Sequence, residues 1–222
     1  PDFRSPNGLY SKISQETFEL DFFLNQPQEY YKVAIDYIHP LADKEPNITH
    51  QMLATLQTQN LLDAIITQNI DGLHFKAGNS PDKVLELHGT AMYVKCLSCN
   101  KRFERDLIQL RIAQGDKAPR CDECTGLLKP ATISFGQSMP EWETREAYER
   151  SATCDLFIVI GSSLVVQPAA YMPVVAHTRG AKLVIINRDE TACDDIADII
   201  IQSQAGPIMA AILERVRQKF SL

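Results

Sequence analysis

The chain has 222 residues, 28 acidic against 22 basic side chains for a formal charge of −6, with 45% apolar and 23% charged residues. That mixture excludes a disordered chain, and the acidic excess argues against nucleic acid as the main partner, because phosphate neutralisation needs a basic face. No apolar run approaches the roughly 20 residues of a spanning helix, and Asp2, Arg4, Lys12, Glu16, Glu19 and Asp21 leave no apolar signal-peptide core, so no membrane association and a cytoplasmic address are expected.

In chain order, Phe18, Phe22 and Phe23 read as core. Pro46-Asn47 opens a helix in which Ile48, Met52, Leu53 and Leu56 recur at helical spacing. Leu61 to Ile66 reads as a buried strand, as do Leu156–Ile160, Leu183–Ile186 and Ile199–Ile201, each short and rich in Ile, Leu or Val. Pro168 opens a helix that stops at Gly180, and a last helix buries Ile208, Ile212, Leu213, Val216 and Phe220. Strands alternating with helices imply an α/β fold, a Rossmann-like doubly wound parallel sheet.

The strand ends carry more information than the strands. Thr67-Gln68-Asn69-Ile70-Asp71-Gly72, Gly161-Ser162-Ser163 and Asn187 stand at three of them. Open parallel sheets bind ligands there, where helix N-termini and small polar residues converge. The same residues also make ordinary turns, so the pattern alone leaves both readings open.

The middle of the chain breaks this rhythm. Cys96-Leu97-Ser98-Cys99 and Cys121-Asp122-Glu123-Cys124 have the spacing of a four-cysteine zinc site, with Asn100 and Gly126 as turn formers after each pair. Four thiolates leave no vacant position for water or substrate, so the expected Zn²⁺ is structural. Residues 92–129 would form a small inserted zinc-binding module with a short helix over 106–114, and residues 1–91 and 130–222 the sheet domain. Cys154 and Cys193 lack metal spacing and read as core thiols.

The segment Thr67-Gln68-Asn69-Ile70-Asp71-Gly72-Leu73-His74, followed by Leu87-His88-Gly89, resembles the sirtuins, NAD-dependent protein lysine deacylases. So do the opening Pro1-Asp2-Phe3-Arg4, the Gly161-Ser162-Ser163-Leu164-Val165-Val166 turn and Ile186-Asn187, with the four cysteines between them in the family's order. The resemblance implies a deacetylase that consumes NAD. The acetyl-lysine carbonyl oxygen attacks the anomeric carbon of the nicotinamide ribose, nicotinamide leaves, and the acetyl group ends on ADP-ribose.

By the same resemblance His88 is the general base that takes a proton from a ribose hydroxyl, work suited to an imidazole with a pKa near neutrality. Asn69 and Asp71 match the pocket that orients nicotinamide, although Asp71 also reads as a helix N-cap. Gln68 and Ile70 complete that cofactor segment, Gly161, Ser162 and Ser163 approach phosphates and ribose, and Asn187 the adenosine ribose. Phe3 matches the aromatic that shields the reacting centre, and Arg4 contacts the cofactor or anchors a loop. An acetylated peptide would add as a strand between Phe135-Gly136 and Leu164-Val165, with Ile133, Phe135 and Val165 lining the lysine stem, or simply packing in the core. His39, His50 and His177 read as ordinary histidines without a chemical role, and His74 receives no role.

Three departures stand out. The family's Phe-Gly-Glu is Phe135-Gly136-Gln137 here. Ala34 and Tyr37 stand where sirtuins that prefer acidic acyl groups carry Tyr-x-x-Arg, which points to a plain acetyl group. The family's Gly-Ala-Gly-Ile-Ser loop, just before Pro-Asp-Phe-Arg, has no counterpart in this sequence. The expectation is therefore that residues precede Pro1, the other reading being an inactive relative. Protein ADP-ribosylation, or an inert module that binds NAD metabolites or acetyl-lysine, are the competing functions.

Overall fold

The structure is a computed structural model and describes residues 8–220; the expected roles of Phe3 and Arg4 lie outside those residues. Helices α1 (Leu20–Asn25), α2 (Pro27–Tyr37) and α3 (Ile48–Thr58) precede strand β1 (Ile65–Thr67), the one-turn α4 (Leu73–Lys76) and β2 (Val84–Glu86). Strands β3 (Gly89–Cys96) and β4 (Arg102–Glu104), helix α5 (Arg105–Ala113) and β5 (Leu128–Thr132) form the middle. The chain then alternates α6 (Glu141–Thr153), β6 (Leu156–Ile160), α7 (Met172–Thr178), β7 (Lys182–Asn187), β8 (Ile199–Gln202) and α8 (Ala205–Phe220).

These elements make two compact units. The first comprises Pro1–Lys44, Asn69–Gly72 and His88–Met139; the second Glu45–Gln68, Leu73–Leu87 and Pro140–Leu222.

In the second unit, β6, β7 and β8 pair in parallel, with Ile160 opposite Ile186 and Asn187 opposite Gln202, and β1 pairs in parallel with β2. Alternate side chains of β7 serve opposite faces, as the pleat requires. Leu183 and Ile185 pack with Ala170 and Val174, whereas Val184 and Ile186 pack with Met52 of α3 and Met209 and Leu213 of α8. Helices thus cover both faces of this sheet, the doubly wound arrangement expected from its apolar strands. Asn47 starts α3 by accepting the Thr49 amide at 2.9 Å and the His50 amide at 3.3 Å, and the His50 ring in turn accepts the Asn47 amide at 3.3 Å.

Two expectations shift. The strand expected from Leu61 begins only at Ile65, because the Leu61 amide donates to the Leu56 carbonyl and Asn60 takes φ +55°, closing α3 with a left-handed residue. In α8 the deepest side chain is Met209, fully buried, while Phe220 lies on the exposed last turn.

The first unit packs α1 and α2 around Phe23, Tyr30, Tyr31, Ala34 and Ile38, with Phe18 and Phe22 against them. Phe23 meets Tyr30 edge-on at 5.0 Å between ring centres. Its sheet is antiparallel, in the order β4-β3-β5, and α5 contributes Ile108 to a second cluster with Val94, Cys96, Cys121 and Leu128. The Tyr31 hydroxyl donates to the Leu128 carbonyl at 2.7 Å. Between Gly89 opposite Thr132 and Val94 opposite Pro130 the β3–β5 ladder shifts register.

Candidate cofactor and substrate site

In the second unit, the candidate residues stand where the parallel strands end. Gly161 follows β6, donates its amide to the Ile186 carbonyl at 2.9 Å, and takes φ +62°, a conformation that favours glycine. Among the described residues a Cβ at this position would have no neighbour within 4 Å, so nothing described crowds the backbone there and a ligand can approach it. Ser162 Oγ accepts the Leu164 amide at 3.3 Å and the Gln68 side-chain amide at 3.2 Å. One hydroxyl therefore joins the end of β1 to the turn after β6. Leu164 is left-handed at φ +53° and buried, a rare pairing for a leucine, and it turns Val165 outward, 55% exposed. Ser163 is exposed beside it, and Asn187, at the end of β7, uses its side-chain amide on the Asp189 carbonyl at 2.7 Å.

In the first unit, the Asn69–Gly72 segment is held to β3 by the Ala91 amide, which donates to the Ile70 carbonyl at 2.8 Å. Asn69 is exposed and Asp71 half-buried. His88, also half-buried, immediately precedes β3, and its carbonyl accepts the Ile133 amide at 2.8 Å. Gly89 is required at the next position: φ is +67°, and a Cβ would fall 2.1 Å from the Ala131 carbonyl oxygen. Beyond β5, the Phe135 amide donates to the Phe18 carbonyl and the Leu20 amide to the Phe135 carbonyl, both at 2.9 Å. Gly136 takes φ +79°, and the Gln137 side chain closes this turn by accepting the Ser134 amide at 3.2 Å. The glutamine that departs from the Phe-Gly-Glu pattern thus has a backbone partner of its own.

The cysteines end two hairpin-like knuckles of similar construction. Asn100 at φ +61° returns its amide to the Cys96 carbonyl, and Thr125 at φ +60° returns its amide to the Cys121 carbonyl. The left-handed residue of the second knuckle is therefore Thr125. Gly126 serves instead for clearance, since a Cβ there would lie 2.8 Å from Cys96 Sγ. Cys96 and Cys124 Sγ are 3.4 Å apart, Cys99 and Cys121 Sγ 3.8 Å, and all four lie within 4.8 Å of one another. Thiolates about 2.3 Å from a tetrahedral ion stand roughly 3.8 Å apart, so this cluster has the dimensions of a metal site. Of the other thiols, Cys193 is buried in the core beside β7, and Cys154, half-buried, donates to the Ser151 carbonyl.

Residues 1–168 match the model of the Sir2 family. The chain belongs to the Sir2 family. It is 44% identical over 199 residues to an NAD-dependent protein deacetylase of Thermotoga maritima, covering 90% of this chain and 80% of that protein. It is 40% identical over 217 residues to NAD-dependent protein deacetylase 1 of Pyrobaculum aerophilum, covering 98% and 84%. Among solved structures, Sir2 with a p53 peptide and NAD+ superposes with a TM-score of 0.90 at 38% identity, covering 97% of this chain and 86% of that one. A Sir2 variant with deacetylated p53 peptide and 3'-O-acetyl ADP ribose gives 0.92 at 40% identity, with the same coverage.

Three of the Sir2 motifs rest on a backbone feature: a glycine at positive φ after His88, another at Gly161, and the amide of Ala91 under Ile70. The motifs did not expose the partners that hold them, Gln137 in the Phe-Gly turn and Thr125 in the second knuckle. A positive φ at a threonine has no sequence signal; Gln137 was visible only as a departure.

Proposed function

We propose that this Sir2 chain is an NAD-dependent protein lysine deacetylase, transferring acetyl from lysine to ADP-ribose with release of nicotinamide. The observation that carries the reading is His88, the one motif histidine on the strand pair that also delivers Ile133 and Phe135, tied to that pair by the 2.8 Å bond between its carbonyl and the Ile133 amide. Bound NAD supplies a glycosidic bond that cleaves to nicotinamide and an ADP-ribosyl acceptor for the acetyl group.

The chain's own residues divide the remaining work. His88 takes a proton from a ribose hydroxyl as a neutral imidazole and returns it later. Asn69 and Asp71 orient the nicotinamide carboxamide, with Ile70 between them. Gln68, Gly161, Ser162, Ser163 and Asn187 receive ribose and phosphate, supported by the backbone at Gly161, which nothing described crowds. Phe3 and Arg4 keep the shielding and anchoring roles implied by the Sir2 motif. An acetylated peptide pairs as an added strand with backbone at Phe135 and Gly136 and at Leu164 and Val165, with Ile133 beside the lysine stem. Tyr37 stands where the arginine of the Tyr-x-x-Arg pair would stand, and Ala34, fully buried, where its tyrosine would, so no guanidinium is there to pair an acidic acyl group and an acetyl group is preferred to a succinyl group.

Zinc is the metal we assign to Cys96, Cys99, Cys121 and Cys124, because four thiolates at tetrahedral spacing suit it and close the coordination sphere. Residues 92–129 are then its module and the rest of the chain the NAD-binding domain. Among the described residues no helix is long and apolar enough to cross a membrane. The reducing cytoplasm is the address that keeps four thiolates available to metal.

Incubation with NAD and an acetylated peptide, with products read by mass, tests the activity. Acetyl-ADP-ribose and deacetylated peptide are expected. Protein-bound ADP-ribose without deacetylation would replace the reading with ADP-ribosyl transfer, and no release of nicotinamide would leave a binding module.

A further inference from the structure

Lys129 is 1% exposed, among the most buried side chains of the first unit. Its ammonium donates to the Thr132 carbonyl at 2.6 Å, to Thr132 Oγ1 at 3.3 Å and to the Pro130 carbonyl at 3.5 Å. No carboxylate among the described residues pairs with it. Burial pushes its pKa down to about 7. An isolated buried amine is costly, and a methionine of similar length would fill the space without that cost. The side chain therefore has work that an apolar residue would not do.

Its position indicates which work. Lys129 lies on β5 opposite Lys95, one residue before the β3–β5 ladder shifts register, and its three acceptor atoms belong to Pro130 and Thr132, on either side of that shift. The same stretch approaches β3 so closely that Gly89 has no room for a Cβ against Ala131. One residue on, the Ile133 amide holds the His88 carbonyl, and three residues on, Phe135 pairs with Phe18 and Leu20. Tyr30, fully buried, also hydrogen-bonds with the Thr132 side chain, so Thr132 has two buried side-chain partners.

We propose that Lys129 is a positioning residue for the reaction: from inside the first unit it fixes the Thr132 backbone, which sets His88 for proton transfer and aims residues 133–135 at the acyl-lysine peptide. This rests on the deacetylase reading. Lys129 touches no reacting atom; it acts by hydrogen-bond donation, so a neutral donor of similar reach serves in its place.

The test compares Lys129→Met, Lys129→Gln and Lys129→Arg with the wild type, zinc content and folding being checked first. Lys129→Met is expected to lower kcat about tenfold or more, while the Kd for NAD stays within about twofold, since small displacements of a catalytic group are costly. Hydrogen exchange at the Ile133 and Phe135 amides should rise about tenfold and that at Ile185 should not change. Lys129→Gln and Lys129→Arg should restore at least about a third of kcat. If Lys129→Met does not fold, Thr132→Val, which removes one acceptor and keeps the branched shape, takes its place with an expected loss of about threefold. Unchanged kcat, or exchange rising equally at Ile133 and Ile185, overturns the proposal. A wild type that forms no acetyl-ADP-ribose counts against the deacetylase reading instead, and the exchange data then decide the role of Lys129.

Discussion

His88 is placed by its main chain: the Ile133 amide holds its carbonyl, and Gly89 lets the chain turn beside Ala131 where a side chain would collide. Removing the imidazole therefore leaves the backbone frame intact. His88→Ala is expected to lower kcat by about 10²–10⁴, the usual span of general acid–base assistance, with NAD binding by calorimetry nearly unchanged. Near-normal turnover would remove His88 from the mechanism. His39 is a different kind of histidine. Burial, and then the positive charge of Arg105, push its pKa down to about 4 from 6.5. The unfolded chain then binds more protons than the folded one between those values, so the stability His39 contributes is complete above pH 6.5 and is lost as pH falls toward 4. Denaturant unfolding at pH 7 and pH 5 should show a larger loss for the wild type than for His39→Gln. Equal losses would mean that the imidazole titrates normally in the fold.

At the scale of elements, α3 depends on its first residue. Asn47 satisfies two otherwise unpaired helix amides, and the helix carries Met52 into the core against Ile186 and Met209. Asn47→Ala should cost about 1 kcal/mol, with Asn47→Asp near neutral; a thermal midpoint for Asn47→Ala equal to wild type would show that the cap contributes nothing. Elements of this kind were legible from sequence because their signals are local. Strands β6, β7 and β8 are apolar on both faces, and Asn47 after Pro46 marks a helix start. Helix α6 has no such signal, because it buries only a stripe of small residues, Ala147 and Ser151, beneath a heavily charged surface. The early start expected for β1 failed because a hydrogen bond to Leu56 claims Leu61 for the preceding helix. In the candidate site the residue types were readable, but their supports were not. Gln137 and Lys129 have partners chosen by a turn and a register shift, which no periodicity encodes.

For the whole molecule, the decisive fact is that each compact unit is assembled from discontinuous stretches of chain. The cysteine cluster and the His88 segment occupy opposite ends of one strand pair in the first unit: β3 runs from Gly89 to Cys96, and β5 from Leu128, beside the second knuckle, to Thr132. A metal held by the four thiolates would therefore fix the register of the strands that carry His88 and Ile133, although no thiolate belongs to the catalytic set. Structural metal binding and folding are coupled, which gives a prediction for metal removal. Chelation should abolish turnover and raise hydrogen exchange at Leu97 and Leu128, whose amides donate to Leu127 and Pro119. The Ile185 and Ile186 amides, in a sheet with its own core, should keep their protection. Readdition of zinc should restore both turnover and exchange protection. A metal-free protein with full turnover and unchanged exchange would contradict the coupling, because the strand pair would then hold its register without an ion.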